Sequence, residues 1–480
     1  MDQVATDQVA TGGDRSDAFV FFGATGDLAF RQIFPALHGL IRDDGFDLPI
    51  IGVARSGDLA TLRERARRSV EASGPTDPVA LERLLDLLHY VKGSHDDPET
   101  FHALRGALGD AEHPLHYLAI PPALFGQVIA NLQTSGCATG ARVIVEKPFG
   151  RDLGSARALN HAARAVFPEA AIFRIDHYLG KEPIQNLVYF RFANSFLEPI
   201  WNRDRIASVQ ITLAEALDVG SRGAFYDGTG ALRDVVQNHL FQVLALLAME
   251  PPAGRSAEAM ANEKFKILDS IRPLRPDDVV RGQYSGYRDT DGVAVGSTVE
   301  TFAAVRLEIG TWRWGGVPFT IRTGKSLAAT ATEVIVSLRP PPQAVFGDDV
   351  FHECNYIRFQ FDPGISISIG ARTKLPGEAM VGEPVELVAC NRHGDGRPPY
   401  ERLIGDATNG DQTLFARQDA VEAAWRVVEG ILDDRSPLHE YEPGSWGPPQ
   451  ADRLLAAGER WHAPRVAHLA GLPVGSAGDR

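Results

Sequence analysis

The sequence has few cysteines, and their positions exclude two classes of site. The three cysteines, Cys137, Cys354 and Cys390, lie far apart, and no pair has the C-x-x-C spacing. The chain therefore offers neither a disulfide framework nor a cysteine-based zinc site. Sparse, unpaired cysteines are typical of proteins in a reducing compartment, so we predict a cytoplasmic location and no bound metal.

The chain also lacks a long apolar run and an excess of basic residues. No run reaches the roughly 18 consecutive apolar residues that a membrane-spanning helix needs, so we expect no membrane role. Lys and Arg number 48 and Asp and Glu number 62, which gives a net charge of −14. Because nucleic-acid binding needs a basic surface, this balance argues against such a partner. An anionic small substrate remains compatible, since a local basic pocket can form in an acidic protein.

The N-terminal segment shows no sign of a secretory signal. It reads MDQVATDQVATGGDRSD and contains the sequence DQVAT twice. A signal peptide would place a basic stretch before an apolar one, and neither is present here. We expect residues 1–16 to form a mobile tail.

The length and composition of the chain predict a two-domain globular enzyme. At 480 residues the chain exceeds the size of one ordinary core. Hydrophobic residues make up 44% and charged residues 23%, which is unlike a disordered or fibrous chain. We predict one domain at 17–185, a second at 186–463, and a C-terminal tail at 464–480.

Short apolar strands alternate with helices in the first predicted domain. The strands are predicted at Ala18–Phe22, Pro49–Ala54, Leu115–Ile120, Ala141–Glu146 and Ala170–Ile175, and the helices between them at 58–73, 78–88, 122–135 and 153–166. Continuous apolar strands are typical of a parallel sheet that is covered on both faces. Their alternation with helices predicts an α/β, Rossmann-type coenzyme domain.

The pattern changes in the second predicted domain. Ile206–Ala216 alternates apolar and polar residues as a half-buried strand does, and Gly230–Glu250 is predicted to be one long amphipathic helix. Further alternating segments with short connections follow, and two late helices are predicted near 399–407 and 419–432. We therefore predict an α+β domain with a large, mainly antiparallel sheet.

The stretch GATGDLA, from Gly23 to Ala29, is a candidate dinucleotide-binding turn. It follows a buried strand and opens a helix, which is the context that such a turn requires. Gly23 permits a tight turn, and Gly26 lets the backbone approach a pyrophosphate near the positive end of the helix dipole. The alternative is an ordinary strand-to-helix turn. Arg55, after the second strand, is either a ligand for the 2′-phosphate of NADP or a plain surface residue.

A second stretch, FRIDHYLGKE from Phe173 to Glu182, carries an unusual density of acid, base and hydroxyl groups. It follows the last predicted strand of the first domain. Ligands of α/β folds bind at the carboxyl ends of such strands. A solvated surface loop and a phosphate-binding active site are both consistent with this composition.

Four motifs occur in a fixed order: GATGDLA, EKPFG (Glu146–Gly150), RIDHYLGKE (Arg174–Glu182) and RDVVQNHL (Arg233–Leu240). Together they resemble the glucose-6-phosphate dehydrogenase family, and the resemblance extends over roughly residues 18 to 463. It implies oxidation of D-glucose 6-phosphate at C1 to the 1,5-lactone, with hydride transfer to NADP⁺, at the start of the oxidative pentose phosphate pathway. It also implies a homodimer or a homotetramer, formed through the second domain.

The resemblance assigns roles to residues that match the family motifs. It implies that His239 is the general base and that Asp176 orients it, which suits the ordinary pKa of histidine. The residues implied to bind the substrate are Lys147, His177, Tyr178, Lys181, Glu215, Asp234 and Lys325. His177 and Lys181 are four residues apart and would share a face if a helix has begun there. Each residue also has a structural alternative, such as a histidine that only packs in a helix.

The cofactor contacts implied by the resemblance cluster at the glycine turn. They are Gly23, Thr25, Gly26, Asp27, Leu28, Arg55 and Lys147. Lys147 precedes Pro148, which permits a cis peptide bond.

Two departures from the family pattern keep other activities open. Phe30 stands where the family commonly has a lysine near the cofactor phosphates, so NAD is a second candidate cofactor. Thr330 stands where a second basic residue near the substrate phosphate is usual. The alternatives are a paralogue that acts on another sugar phosphate or with NAD, and a weakly catalytic family member with a regulatory role.

Overall fold

The structure is a computed structural model that describes residues 15–343, 345–346, 355–377, 379–390, 396–432 and 436–464. The chain divides into two compact units. Unit 1 contains 1–193, 237–273 and 393–432, and unit 2 contains 194–236, 274–392 and 433–480. Each unit is therefore assembled from separate parts of the chain, and the predicted boundaries at 17–185 and 186–463 stay a prediction.

Most of the two predicted tails, 1–14 and 465–480, lies outside the described residues. The expected mobile tail does not extend to residue 16. Ser16 is buried, its amide donates to the carbonyl of Thr408 at 2.9 Å, and its hydroxyl accepts from Arg142 at 2.9 Å.

Unit 1 contains a six-stranded parallel sheet with the order β3-β2-β1-β4-β5-β6. The strands are β1 Ala18–Phe22, β2 Ile50–Ala54, β3 Leu88–Lys92, β4 Pro114–Leu118, β5 Arg142–Glu146 and β6 Ile172–Ile175. This order is that of a Rossmann-type fold, which confirms the predicted class. In the register, Phe19 pairs with Ile50 on one side and Leu115 on the other.

Three helices of unit 1, α2 (Leu59–Ser73), α3 (Pro78–Leu87) and α6 (Leu153–Arg164), begin at a capping aspartate. Asp58, Asp77 and Asp152 each accept a hydrogen bond from a first-turn amide, at 2.8, 2.8 and 2.7 Å, because a carboxylate satisfies donors that the helix itself cannot. The helices are α1 Phe34–Asp44, α2 Leu59–Ser73, α3 Pro78–Leu87, α4 Pro98–Leu108, α5 Phe125–Thr134, α6 Leu153–Arg164, α7 Glu182–Ala193, α9 Phe241–Ala248, α10 Ala257–Asp269, α11 Pro399–Asn409 and α12 Gln418–Leu432.

The long helix predicted at Gly230–Glu250 is not one regular α-helix. Leu232–Leu240 is wound as a π-helix, and the α-helical part, α9, begins at Phe241. A shorter π-helical turn at Ala29–Ile33 precedes α1. The longer turn contains the motif RDVVQNHL, and the shorter one begins at Ala29, the last residue of GATGDLA. π-Helical geometry is often found at functional sites.

Unit 2 contains a nine-stranded sheet with the order β14-β13-β12-β11-β7-β10-β9-β8-β15. The strands are β7 Ile206–Ala214, β8 Val279–Tyr284, β9 Phe302–Glu308, β10 Pro318–Gly324, β11 Ala331–Leu338, β12 Tyr356–Asp362, β13 Ser366–Lys374, β14 Gly382–Cys390 and β15 Leu438–Tyr441, with the short helix α8 at Gly223–Asp227. Six of its pairings are antiparallel, whereas β7–β10 and β8–β15 are parallel. The prediction of a mainly antiparallel sheet is confirmed.

The late helices α11 and α12 pack within unit 1, although they lie between β14 and β15 of unit 2 in the chain. The indole nitrogen of Trp425 in α12 donates to the carbonyl of Phe149 at 2.9 Å, and the ring of Phe415 meets that of Phe173 edge to face. Among the described residues we find no helix with the length and apolarity needed to span a bilayer.

Candidate active site

Asp176 lies at the carboxyl end of the parallel sheet of unit 1, directly after β6. Its side chain is buried, and its Oδ1 accepts two hydrogen bonds. One comes from the amide of Tyr178 at 3.0 Å and the other from Nδ1 of His239 at 2.5 Å. Burial opposes the charge of Asp176, but the interaction with His239 outweighs it and holds the pKa of this carboxyl well below its usual range. Asp176 is therefore an anion that fixes the orientation of the imidazole.

The second ring nitrogen of His239 is the atom available for proton transfer. With Nδ1–H donated to Asp176, Nε2 carries a lone pair. The ammonium of Lys147, at the end of β5, lies 2.7 Å from this Nε2. The Lys147–Pro148 peptide bond is cis, as the sequence permits. The structure thus brings together Asp176, His239 and Lys147, which come from three different motifs.

Aromatic rings surround His239. The ring of Tyr178 stacks on it at 4.4 Å between centroids, and that of His177 meets it edge to face at 4.6 Å. The ammonium of Lys181 lies 3.7 Å from the centroid of the Tyr178 ring. The polar atoms of Asp176, His177 and His239 fall within 4.8 Å of one another. Because a hydrogen bond already joins two of these groups, we interpret them as a proton-transfer site rather than as a set of metal ligands.

His177 carries no charge at neutral pH. Burial lowers its pKa to about 3, and the positive charges of Lys147 and Lys181 act in the same direction. The condition under which His177 and Lys181 would share a helical face is not met, because α7 begins only at Glu182 and both residues lie in the preceding turn.

The glycine turn has the geometry that a dinucleotide needs. Gly23 has a φ of +82°, and a Cβ at this position would collide with the carbonyl of Ala119. The amide of Gly26 donates to the carbonyl of Gly23 at 2.8 Å, which closes the turn before the helix. Close backbone approach without side chains is what a pyrophosphate requires, so the residues present fit this cofactor.

The other predicted cofactor residues lie around the same turn in unit 1. Thr25 and Asp27 are exposed, and Leu28 is partly buried. Arg55 is exposed and follows β2 directly. This is the position at which Rossmann-type folds read the ribose 2′ group.

The remaining predicted substrate residues belong to unit 2. The ammonium of Lys325 and a carboxylate oxygen of Glu215 are 2.5 Å apart, and Lys325 also faces the ring of Tyr226 at 5.6 Å. Burial raises the pKa of Tyr226 well above its ordinary value, and the negative charge of Asp234 adds to this shift. Thr330 is exposed, and its hydroxyl accepts from the amide of Ala216 at 3.0 Å.

Comparison with known proteins identifies the family. Residues 20–186 match "Glucose-6-phosphate dehydrogenase, NAD binding domain", and residues 188–462 match "Glucose-6-phosphate dehydrogenase, C-terminal domain". The chain belongs to the glucose-6-phosphate dehydrogenase family.

Individual relatives are similar along almost the whole chain. Glucose-6-phosphate 1-dehydrogenase 1 of Mycobacterium tuberculosis (strain CDC 1551 / Oshkosh) is 44% identical and covers 94% of this chain and 97% of its own length. The crystal structure of the Mycobacterium avium glucose-6-phosphate 1-dehydrogenase has a TM-score of 0.89 at 43% identity, and covers 95% of this chain and 100% of that one. A glucose-6-phosphate dehydrogenase solved with its substrate glucose 6-phosphate has a TM-score of 0.86 at 34% identity. This match covers 94% of the present chain and 100% of the solved one.

Two features of this glucose-6-phosphate dehydrogenase family member were missed from the sequence. The guanidinium of Arg65 in α2 donates to the carbonyl of Gly26 at 3.0 Å and lies 5.0 Å from the ring of Phe30. Near Lys147, the phenol of Tyr117 donates to Glu146 at 2.5 Å. Neither contact has a spacing signal in the sequence, since each joins elements that are distant along the chain.

Proposed function

We propose that His239 is the general base and Asp176 its partner in the oxidation of D-glucose 6-phosphate at C1 to 6-phospho-D-glucono-1,5-lactone. This is the activity of the family to which the chain belongs, and it opens the oxidative pentose phosphate pathway. The observation that carries the proposal is the buried hydrogen bond between Nδ1 of His239 and Oδ1 of Asp176. NADP⁺ is the cofactor, and its nicotinamide supplies the hydride acceptor.

The chain's own residues have to handle one proton. Nε2 of His239 accepts the proton of the C1 hydroxyl, which leaves an imidazolium. The carboxylate of Asp176 stabilises that cation and keeps Nδ1 protonated throughout, so the proton always enters at Nε2. In the free enzyme, the ammonium of Lys147 is in contact with Nε2 of His239. The substrate hydroxyl therefore takes the place of Lys147, and the displaced ammonium is available to bind substrate and cofactor oxygens.

The turn between β6 and α7 would bind the substrate phosphate. Lys181 supplies a positive charge, and Tyr178 and the uncharged His177 supply neutral donors. In unit 2, Glu215, Asp234 and Lys325 are the proposed partners of the sugar hydroxyls.

The cofactor would be held by Gly23, Thr25, Gly26, Asp27 and Leu28 of the turn, with Arg55 at the 2′-phosphate and Lys147 toward the substrate. A backbone turn at a helix start suits the pyrophosphate, and a guanidinium suits a phosphate monoester. We also propose that the enzyme works in the cytoplasm as a homodimer or homotetramer. The exposed apolar side chains Val381 and Leu387 of unit 2 are consistent with a subunit interface.

An absorbance assay of NADPH and NADH formation tests this proposal. Glucose 6-phosphate with NADP⁺ should give the highest kcat/KM in a panel that includes other sugar phosphates and free glucose. A higher value with another sugar phosphate, or with NAD⁺, would identify the chain as a paralogue of different specificity. Turnover near the background rate with every pair would favour a regulatory family member.

A further inference from the structure

The backbone of Lys325 is held by a buried tyrosine from another strand of unit 2. Lys325 directly follows β10, and Tyr441 is the last residue of β15. The phenol of Tyr441 donates to the carbonyl of Lys325 at 2.7 Å, and the amide of Lys325 donates to the carbonyl of Thr301 at 2.9 Å. Both polar groups of the Lys325 backbone therefore have fixed partners.

The phenol of Tyr441 belongs to a chain of hydrogen bonds. Tyr441 is buried, and its ring meets that of Phe302 at 5.7 Å between centroids. The hydroxyl of Thr301 lies 3.0 Å from that of Tyr441 and accepts from the amide of Tyr284 at 3.0 Å. Because the single phenol proton goes to Lys325, its nearest acceptor, Thr301 is the donor to Tyr441. Donors aligned in this way polarise one another, which strengthens the contact with Lys325.

The residue after Lys325 has an unusual backbone conformation. Ser326 has a φ of +51°, and among the described residues it is the only non-glycine residue with a positive φ. Such a conformation is costly for a residue with a Cβ and persists where the surroundings impose it. The amide of Ser326 donates to the carbonyl of Leu217 at 3.0 Å, and its carbonyl accepts from the amide of Gly444 at 2.8 Å. The end of β15 and the residues after it thus fix both Lys325 and Ser326.

The same contacts place the ammonium of Lys325 beside Glu215. β7 and β10 are parallel, with Ala214 opposite Gly324, so Glu215 and Lys325 follow the carboxyl ends of neighbouring strands. The amide of Glu215 donates to the carbonyl of Gly324 at 3.0 Å, and its carbonyl accepts from the amide of Leu327 at 2.9 Å. The ammonium and the carboxylate meet at 2.5 Å. The position of this ion pair is therefore set by the backbone on both sides of Lys325.

We propose that Tyr441 and Ser326 are positioning residues for the substrate: they fix the backbone of Lys325 so that its ammonium meets the sugar hydroxyls beside Glu215. This inference rests on the proposed role of Lys325 in substrate binding. Lysine has a long, flexible side chain, so a fixed backbone limits the positions that its ammonium can take before the substrate binds. Preorganisation of this kind increases affinity. The expected effect is therefore on substrate binding rather than on the reaction step.

Replacing Tyr441 by phenylalanine tests this inference, because the ring stays and only the hydroxyl is lost. We expect the KM for glucose 6-phosphate to rise about three- to tenfold, which is the usual effect of one neutral hydrogen bond. The kcat and the KM for NADP should change less than about twofold, since the substitution touches neither the base nor the cofactor turn. The Kd for glucose 6-phosphate, measured by calorimetry without cofactor, should rise by the same factor as KM. An unchanged Kd would overturn the proposal.

Tyr287 offers a matched control in the same buried cluster. It is fully buried, and its phenol donates to Asp227 at 3.2 Å. Tyr287→Phe and Tyr441→Phe each remove one buried phenol hydrogen bond, so both should lower the urea midpoint of unfolding. Only Tyr441→Phe should raise the Kd for glucose 6-phosphate. An equal rise in both variants would indicate a general loosening of the cluster and would overturn the proposal.

A double variant shows whether Tyr441 acts through Lys325. In a Lys325→Met background there is no ammonium to position, so adding Tyr441→Phe should leave the Kd for glucose 6-phosphate unchanged. If Tyr441→Phe raised the Kd by the same factor in both backgrounds, Tyr441 would act elsewhere, and the proposal would be wrong.

Substitutions of Ser326 provide a second route if Tyr441→Phe folds poorly. Glycine adopts the left-handed conformation readily, so the Kd of Ser326→Gly should stay close to that of wild type, whereas the β-branched Ser326→Val should raise it. Equal Kd values in these two variants would contradict the role of Ser326. If wild type fails to oxidise glucose 6-phosphate, the proposed function fails. If Lys325→Met leaves the Kd unchanged, the proposed role of Lys325 fails and this inference with it. A Kd that responds to Lys325→Met but not to Tyr441→Phe rejects only the present inference.

Discussion

The ammonium of Lys147 lies 2.7 Å from Nε2 of His239. The other ring nitrogen of the same histidine is hydrogen-bonded to Asp176. One nitrogen of the ring therefore faces a cation, and the other faces an anion. The carboxylate raises the proton affinity of the imidazole, and the ammonium lowers it. In the proposed mechanism, the substrate hydroxyl has to displace this ammonium from Nε2.

Replacing Lys147 by methionine tests whether its ammonium opposes protonation of His239. Without the neighbouring cation, the imidazole is easier to protonate, so the acid limb of kcat/KM should move to higher pH. At its optimum, kcat/KM should fall by about 10²-fold, since a charged contact to substrate and cofactor is lost. Steady-state kinetics across the pH range measure both effects. Lys92→Met, at the exposed end of β3, is the control. A reduced kcat/KM with an unmoved acid limb would contradict this reading of Lys147.

Replacing His239 by asparagine should remove the base but retain a polar side chain. We expect kcat to fall by about 10²- to 10⁴-fold, the usual contribution of a general base. The KM for glucose 6-phosphate should change little, because the phosphate contacts are elsewhere. Initial rates with NADP⁺ test this, with His102→Asn on the exposed face of α4 as the control. Near-normal turnover in His239→Asn would show that His239 is not the general base.

Replacing Arg55 by alanine should separate the two nicotinamide cofactors. A guanidinium that contacts the 2′-phosphate stabilises NADP but not NAD, so the KM for NADP should rise about tenfold or more while that for NAD stays the same. Arg68, an exposed arginine of α2, provides the control substitution. Equal increases for both cofactors would mean that Arg55 contributes only general charge, and Arg65 beside Gly26 would be the next candidate.

Most strands of the parallel sheet were predictable from the sequence, whereas β3 was not. β1, β2, β4, β5 and β6 were predicted, because their positions are apolar on both faces of a covered sheet. β3 was missed because it reads LHYVK, with His89 and Lys92 exposed, and follows α3 without a turn residue. The π-helical winding of Leu232–Leu240 was missed as well, since it leaves the hydrophobic pattern close to that of an α-helix.

The candidate site shows the same limit at the level of single residues. Asp176 and His239 are 63 residues apart, and only the family motifs connected them in the sequence. Glu146 lies inside a motif but was given no role, because its partner Tyr117 comes from another strand without a shared spacing. Tertiary contacts of this kind depend on strand register and helix packing, which local patterns do not specify.

In unit 2, Lys325→Met tests the proposed sugar contacts. The substitution removes the 2.5 Å ion pair and leaves Glu215 without its cation. If Lys325 binds the substrate, the KM for glucose 6-phosphate should rise about tenfold or more, and the KM for NADP should not. Lys374→Met, on an exposed part of β13, is the control. An unchanged substrate KM would show that Lys325 pairs with Glu215 but does not bind the substrate.

A buried histidine outside the site should lower the stability of the protein at low pH. His116 of β4 is fully buried, and its Nε2–H donates to the carbonyl of Cys137 at 2.7 Å. Its Nδ1 is buried and has no hydrogen-bond partner among the described residues. Burial lowers the pKa of His116 to about 4. Between its usual pKa of about 6.5 and this value, the unfolded chain binds more protons at His116 than the folded chain, so stability falls as the pH falls through this window.

Replacing His116 by glutamine should remove that dependence, because the amide still donates to Cys137 but does not titrate. The shift from 6.5 to about 4 corresponds to about 3 kcal/mol of stability lost by pH 4.

Glu146 and Asp406, whose pKa values are raised to about 7 by burial, act in the opposite direction, since their contribution to stability is lost as the pH rises from about 4.5 to 7. The informative quantity is therefore the difference between variants. The urea midpoint, followed by circular dichroism, should fall less between pH 7.5 and 5 in His116→Gln than in wild type or in the exposed-site control His89→Gln. Equal falls in all three would show that protonation of His116 does not contribute to acid unfolding.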